Sequence, residues 1–141
     1  MGCLFTQSFL LDCANGVHDF SADTLKLSLH AASAALSSAT TAYSTTGEAT
    51  SGTGYTTGGA TLTLTSGYPQ IVNGQACVRF ENATWTFSAA KTVRYALLYN
   101  STRSDKAIAV IDLGADRSFN GSFAVKFPLS LDAFVRYVTA A

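Results

Sequence analysis

Val93-Arg94-Tyr95-Ala96-Leu97-Leu98-Tyr99 and Ala107-Ile108-Ala109-Val110-Ile111 are two apolar runs rich in strand-forming residues. Between them, Asn100-Ser101-Thr102-Arg103-Ser104-Asp105 carries turn residues. Neither run alternates cleanly between apolar and polar. Continuous apolar strands suit the centre of a sheet covered on both faces. Moving outward, the alternation becomes regular. Leu25-Lys26-Leu27-Ser28-Leu29-His30, Ala60-Thr61-Leu62-Thr63-Leu64-Thr65, Ala76-Cys77-Val78-Arg79-Phe80-Glu81 and Phe123-Ala124-Val125-Lys126-Phe127 all have period two. Such strands place one set of side chains in a core and the other towards water. Ala83-Thr84-Trp85-Thr86-Phe87 adds a short strand, and Phe134-Val135-Arg136-Tyr137-Val138 a final one.

Turn chemistry separates these runs. Gly67-Tyr68-Pro69 and Asn73-Gly74 read as turns, and Asn120-Gly121 is the strongest tight-hairpin signal, joining Ser118-Phe119 to Phe123. Pro128 bars the preceding run from continuing as a central strand. About eight short strands at this spacing predict a single all-β, antiparallel domain over residues 1–141: a sandwich, jelly roll or barrel.

Two segments stand apart. Residues 5–16 read as a short helix: Phe5, Phe9 and Cys13 share one stripe with Leu10 beside it, Thr6 or Ser8 caps the start, and Asn15-Gly16 stops the end. About three turns of helix are unstable alone, so this one must dock. Residues 31–59 are almost entirely Ala, Ser, Thr and Gly, with Leu36, Tyr43, Glu48 and Tyr55 as the larger side chains. A stretch this long without a strand or helix pattern is uncommon in a compact domain. It reads either as a flexible loop or as an extended arm that a partner orders, anchored by Tyr43 and Tyr55.

Composition narrows the function. Nine Lys+Arg balance nine Asp+Glu, and only 13% of the 141 residues are charged, against about a quarter in an average domain. Eighteen threonines and fifteen serines supply polarity instead. There is no basic excess to neutralise phosphates, so no nucleic-acid partner is expected. No apolar stretch approaches the roughly 18 residues of a membrane span, so no membrane partner is expected. Three cysteines, Cys3, Cys13 and Cys77, cannot close among themselves into a full disulfide set and read as reduced thiols. The N-terminus lacks a basic region and a small-residue cleavage site. Met1-Gly2-Cys3-Leu4-Phe5-Thr6 matches the short myristoylation pattern, but no polybasic segment accompanies it.

Catalytic signals are sparse. His18 and His30 are the two histidines, and no Gly-x-Ser-x-Gly context selects a nucleophile among the serines. A small hydrolase would need one of these histidines in a pocket beside Ser, Cys or a carboxylate. His18 and Asp19 read as a polar corner between helix and first strand. Asp112 and Asp116 flank Gly114 and read as turn caps ahead of an ion site. No metal-ligand spacing, phosphate loop or other cofactor motif occurs, so no catalytic, metal or cofactor residue is assigned. Trp85, Tyr95 and Tyr99 could form a sugar-stacking platform, but alternation puts Trp85 and Phe87 on one face, as a buried pair would be.

Several stretches together carry a resemblance. They are Asn15-Gly16-Val17-His18-Asp19-Phe20, Asp23-Thr24-Leu25-Lys26-Leu27-Ser28-Leu29, Ala39-Thr40-Thr41-Ala42-Tyr43 and Gly52-Thr53-Gly54-Tyr55-Thr56-Thr57-Gly58-Gly59, then Phe80-Glu81-Asn82-Ala83-Thr84-Trp85 and Ala96-Leu97-Leu98-Tyr99-Asn100-Ser101-Thr102. Over roughly residues 5–127 the chain resembles small virion proteins of tailed bacteriophages, among them head decoration, or cement, proteins. The resemblance implies a jelly-roll-like fold and a homodimer or trimer bound to the major capsid protein on the shell surface. It implies no enzyme activity, and a virion location after synthesis in the host cytoplasm. A tail or fibre component with a carbohydrate- or receptor-binding sandwich is the alternative. The expected partner surface is the N-terminal helix with the 31–59 segment: Phe5, Phe9, Leu10, Tyr43, Thr53, Tyr55 and Thr56.

Overall fold

The computed structural model describes residues 2–127 and 135–137. The chain is an all-β antiparallel sandwich with one short helix. The strands are β1 (Gly2–Phe5), β2 (Leu25–His30), β3 (Ala60–Thr61), β4 (Gln70–Val72), β5 (Gln75–Val78), β6 (Ala83–Asn100), β7 (Lys106–Val125) and β8 (Val135–Tyr137). Helix α1 spans Gln7–Ala14, and a single 3-10 turn spans Ala32–Ala34. One sheet has the order β1-β7-β6-β2-β3 and the other β4-β5-β8. Val78 and Phe80 join residues of the larger sheet in one core cluster, together with Phe9 of α1 and Phe20.

The dominant element is the β6–β7 hairpin, of 18 and 20 residues. It unites runs that read as separate short strands in the sequence. Its base behaves as the apolar pattern predicts. Ala96, Leu98, Ile108, Ala109 and Ile111 face the main core, whereas Leu97, Tyr99, Ala107 and Val110 face a second, smaller cluster on the opposite side. Further along β6, inward Trp85 and Phe87 alternate with exposed Thr84 and Thr86. That half needs cover on one face alone.

Three irregularities let so long a hairpin bend. Leu98 pairs with Ala109 and Tyr99 with Ala107, so Ile108 is a one-residue bulge. Four residues, 113–116, stand opposite Arg94. Residues 88–90 stand opposite Asn120 alone, and Gly121 there has φ +93°. Asn120-Gly121 is therefore not the expected hairpin turn. An Asn-Gly pair signals a backbone able to take positive φ, and bulges use that freedom as turns do. The two-residue turn occurs at Asn73-Gly74 instead, where Val72 pairs with Gln75 and both turn residues have positive φ (51° and 78°). That is the signature of a twisted hairpin turn.

The N-terminus also differs from the sequence reading. The helix starts after Thr6, not at Phe5. Thr6 is extended (φ −74°, ψ 151°), and its Oγ1 accepts the Phe9 N–H at 3.1 Å, a side-chain cap. Phe5 therefore lies in β1, which pairs with residues 109–112 of β7. The run 60–65 yields strand pairing only at β3, plus a bridge between Leu64 and Phe80. Residues 135–137 of the final predicted strand pair with β5. Phe134, Val138 and Pro128 lie outside the described residues.

Two glycines set how closely segment 31–59 approaches the sheet. A Cβ on Gly54 would sit 2.0 Å from the Thr86 carbonyl oxygen, and one on Gly59 2.0 Å from the Leu27 carbonyl oxygen. Both have positive φ, 102° and 84°. Gly16 also has positive φ (66°), but a Cβ there meets nothing within 4 Å. Gly16→Ala is expected to cost about 1 kcal/mol, the left-handed penalty alone. Gly54→Ala and Gly59→Ala are expected to cost clearly more, about 2–4 kcal/mol, because backbone must also move. Urea unfolding of the three variants checks the ranking, and equal losses would refute it.

Candidate functional site

Segment 31–59 has little regular structure, yet it is tied to its own sheet along its length. Ala31 N–H donates to Gly47 O, and Ala49 N–H to Leu29 O, extending the edge at the end of β2. Tyr43 N–H donates to Asp105 O, and Ala107 N–H donates to Thr41 O, so residues 41–43 continue the side of β7 that β1 covers. Ser88 N–H donates to Thr53 O, and Gln7 N–H to Ser38 O. The segment is a strap over the second face of the large sheet, where Leu36 and Tyr43 pack on Leu97, Tyr99, Ala107 and Val110.

Glu48 is the single charged residue of 31–59, and it is the hub of the strap. Its Oε2 accepts from the Tyr43 hydroxyl at 2.6 Å. Its Oε1 accepts from the Tyr55 hydroxyl at 2.8 Å and from Gly58 N–H at 2.7 Å. The Tyr55 oxygen accepts in turn from Leu29 N–H, and the Tyr99 hydroxyl donates to Gly58 O. Tyr43 stacks on Tyr99 with ring centroids 4.5 Å apart. Burial is the first cause that raises the pKa of Tyr43, Tyr55 and Tyr99, with the Glu48 charge adding to each; Tyr99 is pushed up to about 12. All three therefore stay protonated donors at neutral pH. Lys91 fastens the other end: buried in β6, it donates to the Thr50 carbonyl at 2.6 Å and the Thr50 hydroxyl at 3.1 Å.

Under this strap lies a pair that has the geometry of a nucleophile and base. Ser28 Oγ is 2.8 Å from His30 Nε2, and His30 Nδ1 is 3.2 Å from the Thr46 carbonyl. A carbonyl only accepts, so Nδ1 holds the proton and Nε2 accepts from the serine. Both residues are fully buried, and burial lowers the His30 basicity. A substrate carbonyl has no way to Ser28 in this structure, and the pair serves to satisfy polar groups under the strap. His18 sits between Asp12, Asn100 and the rings of Phe9 and Phe20. The polar corner it makes uses Asp12, not the adjacent Asp19. Asp112 and Asp116 lie at the β7 irregularity rather than in a separate turn: Asp112 Oδ1 takes the local Gly114 N–H and pairs with Arg94, while Asp116 Oδ1 takes the distant Ala32 N–H.

The expected interface residues divide. Phe9 and Tyr55 are 1% and 2% exposed, so they belong to the chain's own core and offer nothing to a partner. Phe5 is half-buried with its ring 5.4 Å from Phe9, and Tyr43 is half-buried on Tyr99. Thr53 and Thr56 are exposed on the strap. Leu10 is exposed, at 58%, and it stands with Leu4 (52%) and Leu11 (64%) in the β1–α1 unit at the sheet edge. Leu4 and Leu11 escaped the sequence reading. The signal was the pair Leu10-Leu11 beside Phe9 on so short a helix, since a helix docked through one stripe must leave some of these side chains in water. The aromatic platform does not assemble. Trp85 is 6% exposed and stacked on Phe123, Tyr99 is buried, and Tyr95 alone is partly open beneath the Arg94 guanidinium.

Among the described residues no three His, Cys, Asp or Glu side chains are placed to hold a metal, and no helix is long and apolar enough to cross a membrane. Cys3 is exposed, Cys13 half-buried and Cys77 buried. No family model, curated protein or solved structure matches the chain.

Glu48→Gln keeps the shape of the hub but removes its charge and one acceptor. The loss of charge-assisted bonds to three donors is expected to cost about 2–3 kcal/mol. Hydrogen exchange should then rise at Gly58 and Ala49 more than in β6. Unchanged stability would show that the hub does not hold the strap.

Proposed function

We propose that this chain is a structural virion protein that binds the outer surface of a phage capsid as a decoration, or cement, protein. Its partners are the major capsid protein and sister copies, and its role is mechanical rather than catalytic. The observation that carries this reading is the β1–α1 unit. It sits at the open edge of the large sheet and presents Leu4, Leu10 and Leu11 to solvent, in a chain with few charges to keep copies apart. Singly exposed leucines are ordinary, whereas three in one thirteen-residue unit beside a sheet edge fit a surface meant to be covered.

Magnitudes favour a repeated, multivalent setting. Covering the exposed half of a leucine gains about 1–1.5 kcal/mol, so three contribute about 3–4 kcal/mol. That is the energy of a millimolar complex, before the cost of association. A shell offers many equivalent sites, and sister contacts multiply weak ones.

The test is co-sedimentation of purified protein with decoration-free capsids. Leu10→Glu with Leu11→Glu should reduce occupancy at least tenfold and leave the β circular-dichroism spectrum unchanged. Full occupancy by this folded variant would eliminate the β1–α1 surface. Failure of the wild-type protein to bind any capsid would eliminate the capsid reading.

A further inference from the structure

The buried corner between α1, the 15–24 linker and the β6–β7 turn is wired so that one protonation state fits. Asn100 Oδ1 accepts from Thr102 N–H at 3.0 Å and Arg103 N–H at 3.2 Å. These two bonds fix which way the amide points. Its Nδ2 then donates to Asp23 Oδ2 at 2.8 Å and meets His18 Nδ1 at 2.9 Å. An amide nitrogen only donates, so His18 Nδ1 must be the unprotonated acceptor. The ring proton is therefore on Nε2, which faces Asp12 Oδ2 at 3.6 Å. That is too long for a hydrogen bond, and both atoms are buried without a hydrogen-bond partner. The His18 side chain is 1% exposed.

The charges around His18 come from every element packed on it. Helix α1 supplies Asp12, whose Oδ1 is 3.9 Å from Lys106 Nζ at the start of β7. The linker supplies Asp23, paired with Arg103 of the turn at 2.9 Å. Phe9 and Phe20 close the apolar sides. Asp12 and Asp23 favour a proton on His18; burial and Lys106 oppose it. Burial is the largest influence, so the imidazole holds its proton less tightly than an ordinary histidine.

We propose that His18 is an acid-operated latch: a proton on Nδ1 turns the Asn100 hydrogen bond into a donor–donor clash and frees the 15–24 linker and the end of α1 from the β6–β7 turn. The amide cannot rotate to relieve the clash without giving up the Thr102, Arg103 and Asp23 bonds. In the opened form His18 meets water and regains an ordinary affinity for protons, near 6.5. The folded value lies below the open one. The latch is thus strongest above about pH 6.5 and weakens as pH falls below it, by up to tenfold per unit. The latch is a property of the folded chain and does not depend on the capsid reading.

Hydrogen exchange on the full chain tests it. Asn15 N–H donates to Leu11 O and Val17 N–H to Asp12 O, so both report the corner. Their protection factors are expected to fall between pH 7 and pH 5, by no more than the roughly 25-fold that an open-state affinity near 6.5 allows. The fall should persist in His30→Gln, which removes the other buried histidine, and vanish in His18→Gln, whose side-chain oxygen can accept from Asn100 at every pH. A fall of the same size in His18→Gln would overturn the latch. Should that variant not fold, the wild-type His18 ring titration followed by NMR decides. A midpoint below 6.5 that moves together with the Asn100 side-chain amide supports the latch, and a midpoint at or above 6.5, or a silent Asn100, refutes it.

Discussion

Leu97, Leu98 and Tyr99 paired against residues 107–110 make a strip of sheet that is apolar on both faces. Such a strip is stable only when something lies on each side of it. The main core covers one face with β2 neighbours, Phe9 and the Trp85–Phe123 aromatic group. Among the described residues no second sheet or α-helix covers the other face, and that need explains the strap. A segment of Ala, Ser, Thr and Gly is a poor core former. It can nonetheless lie flat, because its glycines allow backbone-to-backbone approach and Tyr43 and Leu36 supply the apolar area on this face. The strap is the lid that a two-faced hairpin requires.

Holding such a lid is a polar problem. Few strap side chains are large, so burial contributes little, and hydrogen bonds to buried groups decide the register. Glu48 satisfies Tyr43, Tyr55 and the backbone at Gly58 at once, while Lys91 satisfies the Thr50 carbonyl from below. Each bond nets only about 1 kcal/mol, more when charged, but leaving any one donor unmet under the strap costs as much or more. The network therefore acts as a unit. His30 and Ser28 belong to the same network: they fill polar demand between sheet and strap.

The sequence made the sheet legible where physics is local. Period two marked β2 and the first half of β6, and continuous apolar runs marked the two-faced strip. Asn73-Gly74 and residues 100–105 were readable as turns because positive φ and polar composition coincide there. What stayed hidden depends on distant partners. Asn120-Gly121 looks like a hairpin until β6 is seen to run past it as one strand. β1 was invisible because Gly2–Phe5 has no alternation of its own and pairs only because β7 has a free edge there. Tyr55 and Phe9 read as surface anchors, since nothing in their neighbours along the chain tells that Glu48, Leu29 and the core will claim them.

The low charge of the chain takes on a different meaning once the strap is seen in place. The single carboxylate of segment 31–59 faces inward to three donors, and Ser and Thr hydroxyls supply much of the polarity on its exposed side. The surface proposed for a partner lies elsewhere: three leucines of the β1–α1 unit, next to an edge strand, with the His18 corner at the far end of the same helix. A surface of that size is too weak to hold one copy for long and sufficient when many copies bind side by side. Under the proposed reading, assembly would run through the N-terminal edge, with the strap serving as internal architecture of the sheet behind it.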